Sequence, residues 1–422
     1  MKEMKRGIAA LLIAAIMAGT PGIMPANAYL QAEAAQAGTE SQGETQKETE
    51  TETEKETEAP APGDGWNADK TMYYKGGKAL TGLQTIGEDK YYFDKNGKIT
   101  TGLFSYKDST GNTQTRYFAE SGANKGKMLT GWQKISGKKY YFRESTGNLQ
   151  KGLKKIDGDY YGLDESDGHM LTGLNRLKNK DNKKTWYYFN KKTGKRETEY
   201  IKVSKKKYYY AKKKTGEVLY ELKKSGSYWR VYNMKGKRLK NLLDTPLDEN
   251  RYEVRINSGT NVVTIVGRFN GGKYSLPLKA WRCSTGKNLS TSTPRGTFTI
   301  HSKYRWLLMV GGTYCQWLTY IARNCLIHSE IYRTRNNKNM KVSAYNKLGH
   351  GASHGCVRMQ AVAAKWIYDN CRAGTKIKIF RGTSSKDPLG KPSFKKLPSW
   401  HTWDPTDPTA KKYCRKKHCH QN

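Results

Sequence analysis

The chain has 422 residues, of which 76 are lysine or arginine and 37 are aspartate or glutamate, so its formal net charge is +39. This length is more than one hydrophobic core usually organises, which excludes a single domain as the starting expectation. A charge this positive calls for an anionic partner, and nucleic acid is the first class to consider. The alternative is that the lysines only solvate the surface of a β-rich protein.

Residues 1–28 have the three parts of a secretory signal peptide. A basic segment at residues 2–6 precedes an apolar run at 8–19, and small residues at 26–28 provide a cleavage site. The apolar run is short for a membrane span, so we predict cleavage after Ala28 and export, with an uncleaved signal anchor as the alternative. Export argues against nucleic acid as the partner and favours the anionic polymers of a cell wall.

Residues 29–65 are predicted to be an acidic, disordered linker. They consist largely of alanine, threonine, glutamine, glutamate and proline, and threonine alternates with glutamate over residues 48–54. Such a segment has little apolar surface to bury and repels itself, so it should behave as an extended tether. Its acidity makes the remainder of the chain more basic than the overall charge indicates.

The repeat region extends from residue 66 to residue 247. Thr-Gly-Leu or a related triplet recurs at intervals of about twenty residues, and an aromatic cluster and usually an Asn/Gly turn follow it. The triplets begin at Thr81, Thr101, Thr130, Lys151 and Thr172. Aromatic strands joined by such turns are typical of short β-hairpins, and a single hairpin cannot bury its apolar face alone. The pattern therefore predicts a β-hairpin solenoid.

These repeats resemble the cell-wall-binding repeats of choline-binding proteins and clostridial surface toxins. In the choline-binding branch, aromatic side chains of neighbouring repeats surround a quaternary ammonium group. The Gly-Trp pair of that branch appears at Trp132, whereas leucine takes its place in other units. The resemblance implies a module that binds a wall polymer of unknown identity, and the alternative is that the aromatic residues only form the solenoid core.

The pattern changes at residue 252. Residues 252–256 alternate between apolar and polar, and residues 261–266 are β-branched, so both are predicted strands. Residues 360–371 have one apolar helical face, and 376–380 form a last predicted strand. The predicted fold is mainly β throughout. A hairpin solenoid precedes a β-rich domain with one short helix (248–382), and a basic C-terminal tail follows (383–422).

The residues around Cys356 predict a reactive thiol. The run 353–358 reads Ser-His-Gly-Cys-Val-Arg. A thiol is nucleophilic only as the thiolate, and a neighbouring cation or histidine base promotes that form. Gly355 allows the backbone to approach a substrate closely and to aim N–H groups at a developing oxyanion.

This run resembles the signature of the L,D-transpeptidase catalytic-domain family, and the Ser-Thr-Gly at 284–286 and Thr-Pro-Arg-Gly-Thr-Phe at 293–298 resemble further segments of it. The resemblance covers about 130 residues, roughly 250–382. It implies that His328 accepts the thiol proton and that the main chain of Ser329 orients the imidazole. Two other histidines lie near in sequence: His350 is the alternative base, and His301 is expected to be structural.

The resemblance also assigns the neighbours of the cysteine. His354 is implied to hold the cysteine loop through its ring. Arg358 is implied either to bind a substrate carboxylate in a bidentate manner or to hold the loop through backbone carbonyls. The interval between His328 and Cys356 is longer than in many members, and it carries the cations Arg333, Arg335, Lys338 and Lys341. We predict a lid over the acyl-donor groove, with a solvated insertion as the alternative.

The implied function is acyl transfer in peptidoglycan at the wall of a Gram-positive-type envelope. Cys356 would attack a tetrapeptide stem, release D-alanine as a thioester forms, and pass the acyl group to a second stem as a 3→3 cross-link, without a metal or an organic cofactor. The partners are donor and acceptor stem peptides and, through the repeats, anionic wall polymers. Alternatives are an L,D-carboxypeptidase at the same site and a wall-binding adhesin with a degenerate catalytic domain.

The remaining cysteines leave several possibilities open. Export permits disulfides, but the sequence cannot rank the pairings of the six cysteines other than Cys356. Cys414 and Cys419 lie near His418 and His420, which could indicate metal ligands. No second pair of ligands has the spacing of a closed zinc site, so no metal is predicted. We expect instead that Cys414 and Cys419 form a local disulfide or remain as two unreactive thiols.

Overall fold

The structure is a computed structural model that describes residues 63–322 and 325–417. The predicted signal peptide, residues 29–62 of the predicted linker, and the Cys/His group at 418–420 lie outside the described residues. Within the described residues, no helix is both long enough and apolar enough to span a bilayer.

The repeat region is a series of antiparallel hairpins. Its first strands are β1 (Gly65–Trp66), β2 (Tyr73–Lys75), β3 (Lys78–Ala79), β4 (Gly82–Ile86), β5 (Asp89–Phe93), β6 (Gly102–Lys107), β7 (Thr113–Phe118) and β8 (Met128–Leu129). The following hairpins are β9 (Gly131–Ile135) with β10 (Lys138–Phe142), β11 (Gly152–Ile156) with β12 (Asp159–Leu163), and β13 (Gly173–Lys178) with β14 (Lys184–Phe189).

The hairpins are held to one another by main-chain bonds and buried rings. The Leu149 N–H donates to the Thr115 carbonyl at 2.8 Å, and the Met170 N–H donates to the Lys139 carbonyl at 2.7 Å. The phenylalanines that end β5, β7, β10 and β14 are fully buried. Gly147 shows how tight the stacking is, because its φ is +72° and a Cβ there would lie 2.5 Å from the Met128 sulfur. The predicted stacking of hairpins is therefore observed.

The last part of the repeat region is a five-stranded antiparallel sheet. Its strands are β15 (Glu199–Ser204), β16 (Lys207–Ala211), β17 (Val218–Ser225), β18 (Tyr228–Asn233) and β19 (Arg238–Leu239). Leu222 and Trp229 belong to the same buried cluster as Val254 and Ile256 of the following sheet, and the Trp229 ring stacks on Phe269 at 4.2 Å. The predicted boundary at residue 247 therefore lies within a continuous hydrophobic core.

A nine-stranded mixed sheet organises the C-terminal region. Its elements are β20 (Tyr252–Asn257), β21 (Val262–Arg268), β22 (Tyr274–Ser284), β23 (Gly296–Thr299), β24 (Lys303–Met309), β25 (Thr313–Ala322), β26 (Cys325–Ser329), β27 (Val357–Met359) and β28 (Lys376–Phe380). The spatial order is β23-β28-β20-β21-β22-β27-β26-β25-β24. The helices are α1 (Val342–Tyr345), α2 (Ala361–Asn370) and α3 (Lys411–Lys417). The prediction of a mainly β protein with a short helix after Cys356 is confirmed.

The two faces of the sheet have different surroundings. Strands β26 and β27 are parallel neighbours, with Ile327 opposite Val357, and both side chains join the core that also contains α2. Successive side chains of a strand point to opposite faces. Leu326 and Cys356 accordingly belong to a separate cluster with Cys315. The cysteine thus lies on the face of the sheet opposite to α2.

The C-terminal segment packs against the sheet and the His328–Cys356 interval; we call residues 387–410 the C-terminal strap. Asn346 exchanges two hydrogen bonds with the main chain of Leu397, at 2.7 and 2.8 Å. Asp404 accepts a hydrogen bond from the Ala361 N–H at 2.6 Å and so satisfies a donor at the start of α2. The segment predicted as a basic tail is therefore ordered through polar contacts as well as apolar ones.

Candidate active site

Cys356 lies immediately before the short central strand β27, with its side chain half-buried. Burial raises the pKa of the Cys356 thiol, while a backbone hydrogen bond with Leu326 and the positive charge of Arg358 lower it. The net shift is upward, because the effect of burial is larger than that of the two groups that favour the thiolate. Cys356 is thus a protonated thiol at neutral pH and needs a base as it reacts.

His328 lies on β26, the parallel neighbour of β27, and is fully buried. Its Nδ1 is 2.6 Å from the Ser329 carbonyl oxygen. A carbonyl can only accept, so Nδ1 carries the proton and Nε2 has the lone pair. Burial lowers the pKa of His328 to about 4, the Ser329 hydrogen bond raises it and the Arg358 charge lowers it. The imidazole is therefore a neutral acceptor at neutral pH, oriented by the main chain of Ser329.

The other candidate histidines differ from His328 in their exposure to solvent. His350 and His301 are both exposed, and His301 makes a ring contact with Tyr320. His354 is also exposed, and its ring makes no hydrogen bond to the residues that the structure describes. His328 is the candidate on a strand paired directly with that of the cysteine.

Two hydroxyl groups hold the main chain of the cysteine loop. Ser353 Oγ donates to the Cys356 carbonyl at 2.5 Å, and the Gly355 N–H donates to Ser353 Oγ at 3.2 Å. Thr293 Oγ1 donates to the Gly355 carbonyl at 2.9 Å. Ser353 acts from within the turn, where a short hydroxyl can reach the main chain, and the loop-shaping role of His354 stays a prediction. The Gly355 N–H, expected to face an oxyanion, is engaged by Ser353.

Gly355 and Arg358 have conformations that suit this loop. Gly355 has a φ of +114°, which favours glycine, and it is buried. Arg358 Nη1 donates to the Ala352 carbonyl at 3.3 Å, in agreement with the second of its two predicted roles. The positive charge of Arg358 also lowers the pKa values of Cys356 and His328. It therefore favours the thiolate form of the cysteine and the neutral form of the histidine.

Glu330 is a buried carboxyl group that the sequence analysis missed. It follows the base by two residues, and neither oxygen has a well-formed hydrogen bond to any described residue. Its pKa is raised to about 8. Burial is the main cause and Asp404 contributes, while Arg358 and the Ile331 backbone act in the opposite direction. A signal exists in the sequence, since Glu330 directly follows the strand Cys325–Ser329, which begins with three apolar residues. Nothing in the sequence shows that the C-terminal strap brings Asp404 to it.

Replacement of Glu330 with glutamine should stabilise the protein at neutral pH. The pKa of about 8 in the folded chain lies above the ordinary 4.5, so the native state loses stability as pH rises from 4.5 to 8. We expect E330Q and the parent to be similar at pH 4.5, and E330Q to be more stable by about 3 kcal/mol at pH 7. Urea unfolding at both pH values measures this difference.

The exposed Glu88 provides the matched control for this measurement. E88Q should unfold with the same pH dependence as the parent, because an exposed carboxyl group has nearly the same environment in both states. A lower free energy of unfolding for E330Q at pH 7 would show that the ionised carboxylate is stabilised by the fold, contrary to the argument from burial.

The interval between His328 and Cys356 is anchored by a small core of its own. Tyr332, Met340 and Tyr345 are fully buried together with Leu397 of the C-terminal strap. Tyr332 exchanges main-chain hydrogen bonds with Tyr314, at 2.7 and 2.8 Å. Four of its five cations are exposed, namely Arg333, Arg335, Lys338 and Lys347. The interval is therefore an ordered insertion that presents charge outward, and its role as a lid stays a prediction.

The other cysteines have environments unlike that of Cys356. Cys283, Cys315, Cys325 and Cys371 are buried and form no disulfide. Burial raises the pKa of both Cys325 and Cys371 to about 12, so these thiols are poor nucleophiles. Cys356, being half-buried, is the better candidate for reaction with a substrate.

Among the residues that the structure describes, one group of possible metal ligands occurs, in the repeat region. The ligand atoms of Asp164, Asp167 and His169 lie within 4.8 Å of one another. Asp167 accepts a hydrogen bond from the His169 main chain, and Asp164 accepts from Ser166 and Asp167 within the same turn. These contacts account for the cluster as a turn structure, and it lies in a different region of the chain from Cys356.

Both the repeat region and the C-terminal region match known protein families. Residues 251–379 match the L,D-transpeptidase catalytic domain. Residues 129–174 match a choline-binding repeat, and residues 81–99 match a family described as "Putative cell wall binding repeat".

Two curated relatives share parts of the chain. A stretch of 93 residues is 32% identical to the Bacillus subtilis protein named "Putative L,D-transpeptidase YciB", covering 21% of this chain and 46% of that protein. Another stretch of 62 residues is 48% identical to glucosyltransferase-I of Streptococcus downei, covering 14% of this chain and 4% of that protein. The chain thus spans less than half the length of either relative.

Solved structures of both kinds are similar to parts of the fold. Choline binding protein F from Streptococcus pneumoniae has a TM-score of 0.32 and 25% identity, over 42% of this chain and 58% of that chain. The L,D-transpeptidase from Mycobacterium smegmatis has a TM-score of 0.25 and 18% identity, over 38% and 66% of the two chains. On the family matches, this chain carries an L,D-transpeptidase catalytic domain at residues 251–379, preceded by choline-binding and cell-wall-binding repeats.

Proposed function

We propose that this protein is an exported enzyme that cross-links peptidoglycan stem peptides through Cys356 and is held at the cell wall by its repeats. The catalytic part of this proposal is supported above all by the protonation state and position of His328. It is a buried, neutral imidazole whose Nδ1 is committed to the Ser329 carbonyl, on the strand directly beside that of the cysteine. A neutral imidazole with one nitrogen engaged is suited to accept a proton at the other.

The first half-reaction forms a thioester. The Cys356 thiol gives its proton to His328 Nε2 as the sulfur attacks the carbonyl carbon before the terminal D-alanine of a tetrapeptide stem. A main-chain N–H of the cysteine loop other than that of Gly355, which Ser353 engages, donates to the oxyanion, and a good donor contributes about 3 kcal/mol. The amide C–N bond then breaks, and the imidazolium returns the proton to the amine of D-alanine. Attack and proton transfer occur together because the resting thiol is protonated.

The second half-reaction transfers the acyl group. The side-chain amine of a second stem peptide attacks the thioester carbonyl and loses a proton to His328. The C–S bond breaks, and the imidazolium reprotonates the Cys356 sulfur, so the enzyme returns to its starting state. Arg358 supports both steps, since its positive charge favours the thiolate leaving group while its hydrogen bond to Ala352 holds the loop.

The repeats support localisation at the wall. They match families described by wall and choline binding, and they carry many of the lysines that make the chain basic. Cell walls are rich in anionic polymers, which a cationic surface attracts over a distance set by the ionic strength. The proposed partners are therefore stem peptides at the catalytic domain and an anionic wall polymer at the repeats.

Incubation with a soluble disaccharide-tetrapeptide tests the catalytic proposal. We expect release of D-alanine, formation of a cross-linked dimer, and a thioester-linked acyl group on the peptide that contains Cys356. Mass spectrometry of the acid-quenched enzyme and of the products measures all three. A disaccharide-tripeptide, which lacks the leaving D-alanine, is the control and should yield no acyl-enzyme. Dimer formation without an adduct on Cys356 would contradict the proposal, whereas tripeptide without dimer would indicate a carboxypeptidase.

A further inference from the structure

An arginine of the chain itself occupies an aromatic cluster between two successive hairpins. Tyr92 of β5 lies 4.9 Å from Phe104 and 4.5 Å from Tyr106 of β6, measured between ring centroids. The Arg116 guanidinium carbon lies 5.4 Å from the centroid of the Tyr106 ring, and Nη1 donates to the Tyr106 hydroxyl. Arg116 Nε donates to the Asn148 side-chain oxygen, at 3.1 Å. A built-in cation thus already makes the contact that an external ammonium group would make with this ring.

Arg116 lines one of two adjoining cavities, which we call the paired cavities. The first has a volume of about 420 Å³ and includes Tyr106 and Arg116 among its lining residues. The second has a volume of about 550 Å³ and includes Arg143 and Lys154. Gln114, Thr146 and Asn148 line both. The two cavities are therefore neighbouring parts of one recess that spans consecutive hairpins.

The charge of the paired cavities is strongly one-sided. Five cations line them: Lys107, Arg116, Arg143, Lys151 and Lys154. Asp108 is the single carboxylate among the lining residues, and it is already engaged by Thr110, by the Asn112 N–H and by Gln114. Within the described residues, Arg116 has no carboxylate within ion-pair distance. Cations gathered without counter-ions attract an anion and repel a second cation.

We propose that the paired cavities bind a phosphodiester polymer of the polyol phosphate type, and not choline. The inference rests on the proposed anchoring role of the repeats and identifies the chemical class of their ligand. An arginine fork matches the oxygens of a phosphate group, and Arg116 retains N–H groups beyond those bound to Tyr106 and Asn148. The amides of Gln114 and Gln150 and the hydroxyl of Thr146 offer donors and acceptors for polyol hydroxyls.

The arrangement of the cations suits a polymer with charges at intervals. Arg116 faces the first cavity, whereas Arg143 and Lys154 face the second, across the uncharged residues that both share. Successive phosphates of one chain can therefore occupy the two cavities with a polyol unit between them.

Binding of a glycerol phosphate oligomer tests this inference. Using the full mature chain and titration calorimetry, we expect Arg116→Gln to weaken binding about tenfold and to reduce its dependence on salt. Lys154→Gln should also weaken binding. This second variant is needed because Arg116→Gln removes the contacts with Tyr106 and Asn148 and could therefore lower the stability of the repeats. Arg176→Gln is the matched control, since Arg176 lies over Trp186 outside both cavities and should leave binding unchanged.

The outcomes separate this inference from the proposed function. Cross-linking of a soluble disaccharide-tetrapeptide should be the same in all three variants, and sedimentation with whole walls tests anchoring as such. Unchanged affinity for the oligomer in both Arg116→Gln and Lys154→Gln would overturn the inference even if wall binding persists. Saturable binding of choline chloride that displaces the oligomer would also overturn it, as would equal affinity for a carboxylate polymer of matched charge.

Discussion

Replacement of Cys356 with alanine will abolish cross-linking of a disaccharide-tetrapeptide, by a factor of about 10⁴ or more. The reason is that the thioester needs this sulfur, and no other described cysteine can substitute for it. Cys315 and Cys325 are near enough to influence the thiol electrostatically, but both are buried and their pKa values are raised. Quantification of the dimer and of released D-alanine by chromatography measures the loss.

Cys371→Ala is the matched control for the loss of a thiol. Cys371 is buried directly after α2 in the core on the opposite face of the sheet, so its removal should cost some stability and leave the chemistry intact. Cys356→Ala should still sediment with cell walls, because the repeats do not depend on the thiol. Residual cross-linking in Cys356→Ala near the parent rate would refute the assignment of the nucleophile.

The elements of the catalytic region could be predicted because their patterns are local. Strands β20, β21 and β28 have the β-branched or alternating residues that indicate strands, and α2 has a clear apolar face. The contiguous run from Ser353 to Arg358 likewise identifies the cysteine loop without knowledge of the fold. Such features depend only on residues close together in the chain.

Features that depend on distant residues could not be predicted in the same way. Thr293 holds the Gly355 carbonyl from a different loop, and a threonine in a turn gives no indication of its partner. The C-terminal strap is rich in proline and belongs to a segment, residues 383–422, that is basic as a whole, so the composition indicates a tail. Individual polar side chains fix its position. Asp404, for example, binds the Ala361 N–H, and this contact can be foreseen only if the start of α2 is known. Burial of Glu330 follows from the same packing.

His328→Gln should be the second most damaging substitution, with turnover reduced by about 10²–10⁴-fold while stem-peptide binding is largely retained. Glutamine keeps much of the volume but cannot take the thiol proton. A second effect tests whether the imidazole is buried and neutral, as the proposed base must be. The pKa of about 4 in the folded chain lies below the ordinary 6.5, so the parent loses stability as pH falls from 6.5 to 4.

His328→Gln removes that loss, so its free energy of unfolding should fall by about 3 kcal/mol less than that of the parent between pH 7 and pH 4. Denaturant unfolding at the two pH values measures it, alongside cross-linking rates at pH 7. His350→Gln is the control, because His350 is exposed and should alter neither quantity. If His350→Gln eliminates turnover while His328→Gln does not, the base is on the insertion. The neutral, buried imidazole beside the cysteine strand would then have only a structural role.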